Sequence, residues 1–410
     1  MDSSQEFDRQ TPLYASQTSS STNVNTSDDV SQEPDIMSNP KASEIIEACK
    51  WKDISRLRSL AEGHGGFLSD TLRRRAWPIL LGLDAPSDDQ ENPSSPHNAS
   101  GTGRDYPATG MKTRFSLTST VPSSTTLTSD AELSLRKSEL SSLITEVLRR
   151  HPYLCYFQGY HDISQVLLLV LAPAWRARVL ARLSVLRIRD FMLPSFGPTT
   201  AQLRLLPDIL NAADPKLRRH LAGVEPFYAL AGTLTMYAHN IEAYQDIARL
   251  FDVFLAREPV FSVYVFAQII LDRRNEIFEI DEPDMLHVIL GKVPTKMDLD
   301  DLIIKSAALF EAHPPDTLSY WRQISKYSAL KTARDIEACA KQSLDEGSVL
   351  FDKQVDEVHW QEIRDRVKLA LWRYRRPART IGMALAVGAL AFYLRRNPSL
   401  VSRIASLFAR

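Results

Sequence analysis

Apolar residues recur at helical spacing through most of the chain. Between positions 140 and 148 they fall at i, i+3, i+4, i+7 and i+8, which predicts one buried face of an amphipathic helix. The same criterion predicts helices at 42–61, 68–82, 163–171, 175–186, 200–212, 215–222, 226–238, 241–255, 260–278, 283–291, 298–311, 316–341 and 355–374. No useful run alternates with the period of a strand, and no repeat of fixed length occurs. The pattern therefore predicts an irregular, all-α multi-helix fold.

Composition divides the chain into parts. Residues 1–41 are rich in Ser, Thr, Asn and Asp and predict a disordered tail. The segment 84–130 has a similar low-complexity composition, and we interpret it as an insertion that loops out of a helical domain spanning 42–315. A predicted helical linker, 316–376, follows that domain.

The segment 380–394 contains fifteen residues without a charge, between Arg379 and the pair Arg395 and Arg396. As a helix it would be about 22 Å long, against a hydrocarbon core of about 30 Å. Its basic flanks favour a membrane-anchor (transmembrane) helix, and its short length favours a buried core helix. We expect the anchor, and whether it would span the bilayer fully stays open.

Charge and cysteine usage exclude several classes of function. The formal net charge of the 410 residues is −1, so no basic field favours nucleic acid as a partner. The three cysteines are isolated and lack metal-ligand spacing, which predicts neither disulfides nor a metal site. No Gly-rich phosphate loop with a lysine occurs, so we expect no nucleotide site and no cofactor.

The segment YFQGYHD at 156–162 concentrates aromatic, amide and carboxylate side chains immediately before an apolar helix. A structural interpretation makes Tyr156 a core aromatic, Gly159 a helix-start turn and Asp162 a helix cap. A thiol nucleophile at Cys155 lacks an orienting partner, and a metal cluster of His151, His161 and Asp162 lacks ligand spacing.

Three motifs in order resemble the TBC-domain Rab GTPase-activating proteins. Residues 156–159 match the family's YxQG motif, 73–77 resemble its R-x-x-x-W motif, and 249–255 resemble its R-[LI]-[WF]-D-x-x-[LF] helix. The resemblance runs from about residue 50 to 315. Similarity to the membrane-anchored branch of this family is carried by three segments: YFQGYHDI at 156–163, RIRDFMLPS at 187–195 and the apolar C-terminal stretch. This implies a location at the endoplasmic reticulum or early secretory membranes, with the domain facing the cytosol.

The resemblance implies that Gln158 acts in trans as a glutamine finger on the GTP form of a Rab. A glutamine amide can accept from the attacking water and donate to the phosphate without adding charge. Tyr156, Gly159 and Asp162 would support it, since Gly159 lets the backbone approach the nucleotide closely.

The other two motifs suggest structural roles. We expect Arg73 to pair with a carboxylate in the core, Trp77 to be a core residue, and Asp252 to anchor helix packing. Arg249 supports the same motif.

The family's arginine-finger pattern, I-x-x-D-x-x-R, has no match between residues 77 and 156. Arg114 is the candidate in the insertion, and the alternative is a solvated loop residue. Two functions therefore stay open: an activator of GTP hydrolysis on a Rab, or a catalytically weak TBC scaffold that binds a Rab or another membrane partner.

Overall fold

The computed structural model describes residues 39–84 and 130–397, and the regular elements within them are helices without a strand, which confirms the predicted all-α class. The side chains of 130, 131 and 374–379 are not described. The predicted tail 1–41 and insertion 84–130 lie almost wholly outside the described residues. The α-helices are α1 Pro40–Trp51, α2 Ile54–Glu62, α3 Asp70–Leu80, α4 Asp130–Arg150, α5 Tyr160–Val170, α6 Pro173–Arg182, α7 Gly197–Leu203, α8 Leu205–Ala213, α9 Pro215–His220, α10 Leu230–Leu234, α11 Tyr244–Ala256, α12 Phe261–Asp272, α13 Arg274–Phe278, α14 Pro283–Leu290, α15 Leu299–Ala312, α16 Ala329–Thr332, α17 Ile336–Lys341 and α18 Leu344–Arg396.

The prediction of one helix over 42–61 is wrong, because the chain breaks between α1 and α2. Lys52 adopts a left-handed conformation with φ 52°, and its N–H donates to the carbonyls of Ala48 and Cys49 in the last turn of α1. The Asp53 side chain then accepts from the N–H of Arg56 and starts α2. Apolar spacing continues across the break, so periodicity alone did not show it.

Helices α11 and α12 form the centre of the molecule. Nearly every side chain of α12 is buried, and this helix packs mainly against α8 and α15. Helix α11 packs against α2 and α3, which carry the sequence that precedes the insertion. The N-terminal helices are thus joined to the central layer through α11.

The segment after α15 differs from the prediction of one helix over 316–341. It contains 3₁₀ turns at Pro315–Thr317 and Tyr320–Gln323 and the short helices α16 and α17. The side chains of Ser328 and Asp335 cap the N-termini of α16 and α17, so a new helix begins after each of them. Trp321 and Leu330 are buried, so this segment packs on the domain.

Helix α18 is continuous over its 53 residues, whereas the sequence predicted a charged helix over 355–374 and a separate apolar helix over 380–394. A capping box at Ser343 and Glu346 starts it. Its first turns pack on the domain: Phe351 and Gln354 are buried, and a Cβ on Gly347 would overlap the side chain of Val185. The predicted linker 316–376 is therefore packed in its first part and mostly exposed over 359–373.

The apolar segment 380–394 is the last part of α18, and it is exposed rather than buried in a core. Its two glycines have no neighbour within 4 Å where a Cβ would lie. Among the helices that the structure describes, none combines the length and the apolar character needed to cross a membrane. The predicted transmembrane helix is therefore not supported.

Candidate functional site

A turn on the surface presents the side chain of Gln158. The turn follows α4 and is fixed at its start by the Cys155 N–H, which donates to the carbonyl of Met192 over 2.8 Å. Helix α5 begins at Tyr160, which is fully buried with its hydroxyl 2.7 Å from Ser184 Oγ. Gln158 itself is exposed, and no hydrogen bond ties its side chain to the described part of the chain. An unengaged amide thus lies on a rigid helical base.

Gly159 is required at its position for two separate reasons. Its φ of +107° is in a region that L side chains rarely adopt. A Cβ built on it would also lie 2.6 Å from Cγ2 of Thr235. The glycine therefore lets the turn rest directly on a second segment, which contains Thr235, while Gln158 stays at the surface.

A chain of polar contacts surrounds this turn. The Tyr156 hydroxyl lies 2.9 Å from His161 Nδ1, and His161 Nε2 lies 3.3 Å from Asp162 Oδ1. With the ring proton on Nε2, directed toward the carboxylate, Nδ1 accepts from the tyrosine hydroxyl. The other carboxylate oxygen, Oδ2, lies 3.5 Å from Nδ1 of His239.

The prediction that Asp162 caps α5 is wrong. The N-cap residue is Gly159, and no side chain caps the helix. Asp162 lies in the first turn instead, where its charge is favourable to the helix dipole and its carboxylate faces the two histidines. Burial raises the pKa of Asp162, and His161 and His239 act in the opposite direction. Burial and the nearby Asp162 charge also raise the pKa of Tyr156.

The other motif residues meet at a buried carboxylate, Asp252 of α11. Its oxygens accept from Arg73 Nε at 3.1 Å, from Trp77 Nε1 at 2.8 Å and from the backbone N–H of Phe67 at 3.0 Å. Arg73, Trp77 and Asp252 are almost completely buried. Burial raises the pKa of Asp252, while the Arg73 charge and these donors oppose that effect. This cluster fastens α3 to α11.

Arg249 lies one turn before Asp252 and holds the end of α2. Its guanidinium donates to the carbonyl of Ala61 at 2.7 Å and to that of Gly63 at 3.0 Å. Its Nε donates to Asp300 Oδ1 at 2.9 Å. The cation satisfies carbonyls that the end of a helix leaves free, so its observed contacts are those of a packing residue.

The motif residues thus form two groups. Tyr156, Gly159 and Asp162 lie in the turn that carries the exposed Gln158 and at the start of α5, whereas Arg73, Trp77, Arg249 and Asp252 form a buried clamp. Helices α3 and α5 join the groups, since Arg74 Nε donates to the carbonyl of Val170 at 2.9 Å. Arg114 lies outside the described residues.

The structure gives no support to thiol or metal chemistry at this site. Burial raises the pKa of the Cys155 thiol, which opposes formation of a thiolate. His151 contacts Tyr153 at 3.3 Å. Over the ranges 39–84 and 130–397, no group of three or more His, Cys, Asp or Glu side chains is arranged to hold a metal ion.

Thr235 and His239, which adjoin the Gln158 turn, were missed in the sequence. They lie in a turn that contains Met236 at φ 50° and Tyr237 at φ 66°. Met236 and Tyr237 are not Gly or Asn, the residues that usually adopt positive φ, so the local sequence does not predict this turn. Only their contacts with Gly159 and α5 reveal them.

Comparison with known proteins agrees with the motifs. A family model described as the Rab-GTPase-TBC domain matches residues 70–278, about half of the chain. The GTPase-activating protein gyp10 of Schizosaccharomyces pombe is 31% identical over 335 residues, covering 80% of this chain and 87% of that protein. TBC1 domain family member 20 of Homo sapiens is 30% identical over 310 residues, covering 74% and 75%. GTPase-activating protein GYP8 of Saccharomyces cerevisiae is 24% identical over 271 residues, covering 58% and 52%.

Proposed function

The chain belongs to the Rab-GTPase-TBC domain family, and on this basis we propose that it accelerates GTP hydrolysis on a Rab GTPase. Two of the relatives are named GTPase-activating proteins, which supports this assignment. The chain acts in trans: the Rab supplies the nucleotide, and this chain supplies groups that stabilise the transition state. The Rab belongs to the early secretory pathway in this proposal.

The observation that carries the proposal is the exposed Gln158 on a turn held from below. Gly159 and Tyr160 are buried beneath it, so the backbone at Gln158 is fixed, and within residues 39–84 and 130–397 no hydrogen bond holds its side chain away from a partner. Hydrolysis requires a water held in line with the γ-phosphate. The Gln158 carbonyl can accept from that water while its N–H₂ donates to a phosphate oxygen.

An arginine would neutralise the charge that develops on the phosphate, and Arg114 is the candidate within this chain. Such a group contributes about 10³ to 10⁵ in rate in GTPase activation generally. The interval that precedes Gln158 lacks the hydrophobic-x-x-Asp-x-x-Arg pattern. This observation favours, as a second candidate function, a scaffold that binds a Rab without strong acceleration.

A single-turnover GTPase assay across a panel of purified Rabs tests the proposal and separates the two candidates. We expect one or a few Rabs to show accelerated hydrolysis, and Arg114→Ala to slow it if that arginine reaches the nucleotide. Binding to a GTP-loaded Rab with no acceleration would support the scaffold instead. If the protein neither binds nor accelerates any Rab of the panel, both functions are contradicted.

We also propose that the end of α18 attaches the protein to membranes of the endoplasmic reticulum or early secretory pathway. Residues 380–394 expose large apolar side chains around the helix, including Met383 and Leu385 at 67% and 69%. Arginine side chains at 395 and 396 can extend toward headgroups while the apolar part enters the bilayer. The short length favours shallow insertion or an interfacial position.

Truncation after Arg379 is expected to release the protein from membranes without loss of the helical domain. The truncation removes residues 380–410. Within them, the segment 380–394 is exposed and is not packed on the core, so the truncated chain should keep the wild-type unfolding temperature and its activity on a responsive Rab. Membrane fractions from cells that express each form are extracted with carbonate at high pH. If the full-length chain is washed off as readily as the truncated one, the attachment proposal is wrong.

A further inference from the structure

The turn at 235–240 contacts the Gln158 turn, residues 155–159, at one point and the first turn of α5, which follows it, at another. The first is the methyl group of Thr235, which is packed against Gly159 so closely that a Cβ there would lie 2.6 Å away. The second is His239, whose Nδ1 lies 3.5 Å from Asp162 Oδ2. That same oxygen is 3.8 Å from the Cβ position of Gly159. Both contacts are therefore made next to the residue that follows Gln158.

Thr235 links the two contact points within its own turn. Its hydroxyl donates to the carbonyl of Ala231 at 2.8 Å. The same oxygen accepts from the backbone N–H of His239 at 3.3 Å. The Thr235 side chain therefore links the methyl group that contacts Gly159 to the backbone of His239, whose imidazole faces Asp162.

The turn is built with a strained backbone that the core holds in place. Met236 and Tyr237 both adopt positive φ, a conformation that is unfavourable for residues other than glycine. Tyr237 is fully buried, stacks on Phe254 with ring centroids 5.5 Å apart, and donates its hydroxyl proton to the carbonyl of Ser262 at 2.8 Å. Strain of this kind persists where the surroundings determine the geometry, and it clusters at functional sites.

We infer that His239 and Thr235 are positioning residues for the reaction, holding the Gln158 turn through Asp162 and Gly159; this inference rests on the proposed function. The His239 side chain is 64% exposed, so the fold does not need it as part of the core. Its partner Asp162 lies on α5, in the first turn after Gly159. A catalytic group on a turn needs such a supporting set of contacts to keep its geometry.

The test compares His239→Ala with His239→Asn, in which the amide N–H₂ can replace the Nδ1 donor. On a Rab that responds in the panel assay, we expect His239→Ala to lower the single-turnover rate about three- to tenfold. Binding to the same Rab loaded with a non-hydrolysable GTP analogue should be unchanged, and His239→Asn should restore much of the rate. His64→Ala is the matched control, because His64 Nε2 lies 3.4 Å from a different carboxylate, Asp300.

A double-mutant cycle with Gln158→Ala distinguishes positioning from a general structural effect. If His239 acts through Gln158, His239→Ala should cause no further loss of rate in the Gln158→Ala background. An equal fractional loss in both backgrounds, or a wild-type rate for His239→Ala alone, would overturn the inference.

Amide hydrogen exchange tests the inference independently of GTPase activity. We expect His239→Ala to speed exchange in a peptide covering 155–162 while leaving α15 unchanged. Unchanged exchange in 155–162 would overturn the inference. If wild-type protein accelerates no Rab, the proposed function fails, and the exchange result alone decides whether His239 positions this turn.

Discussion

Replacing Gln158 by Ala is expected to lower the single-turnover rate on a responsive Rab by about 10²–10³-fold, because a preorganised group at the developing charge is lost. The side chain is exposed and has no hydrogen bond to the described part of the chain, so folding should not depend on it. The free energy of unfolding should therefore stay within about 0.5 kcal/mol of wild type.

Three measurements make this expectation specific. The rate is measured with saturating protein, binding is measured to the Rab loaded with a GTP analogue, and stability is measured by urea unfolding. Gln245→Ala is the matched control, since Gln245 is also an exposed glutamine near the start of a helix. A Gln158→Ala protein with the wild-type rate would show that the amide does not serve as a finger.

Replacing Asp252 by Ala is expected to cost about 3–5 kcal/mol of unfolding free energy, because it leaves a buried arginine without its main partner. Arg73 is 3% exposed and Asp252 is completely buried. The substitution also removes the acceptor for the Trp77 indole and the Phe67 N–H, which are then buried without that bond. The clamp between α3 and α11 would be lost with it.

Chemical denaturation of the purified protein measures this effect, with Asp252→Asn and Asp301→Ala for comparison. The asparagine keeps the volume and one acceptor but loses the charge, so its destabilisation should be smaller than that of the alanine. Asp301 pairs with Lys305 on the surface, and its loss should change stability little. If the denaturation midpoint of Asp252→Ala is close to that of wild type, this cluster does not hold α3 on α11.

The motif residues show how far sequence reasoning extends. Arg73 was expected to pair with a carboxylate, and in the structure that carboxylate is Asp252, 179 positions away. The sequence does not identify this partner, because spacing along a helix identifies a buried face but not the residue that faces it. Asp162 illustrates the opposite case: a local capping role was expected, and long-range contact with His239 was found.

Helix boundaries also could not be read from the apolar pattern alone. The apolar period continues through Lys52, so the pattern could not separate α1 from α2, whereas a left-handed residue and the Asp53 cap do so. The apolar pattern predicts a charged helix over 355–374 and a separate apolar segment at 380–394, yet α18 continues through both. Helix ends are set by a few backbone and capping contacts, which average hydrophobicity does not record.

The sequence by itself determined the helical class, the order of the three motifs, and the placement of a glutamine on a glycine turn before an apolar helix. These are local properties, because the period of apolar residues and the conformational freedom of glycine act within a few residues. Tertiary structure alone decided that Asp252 gathers Arg73 and Trp77, and that Thr235 and His239 lie against the Gln158 turn. Such contacts join residues far apart in the chain, and they exist only once packing has brought their helices together.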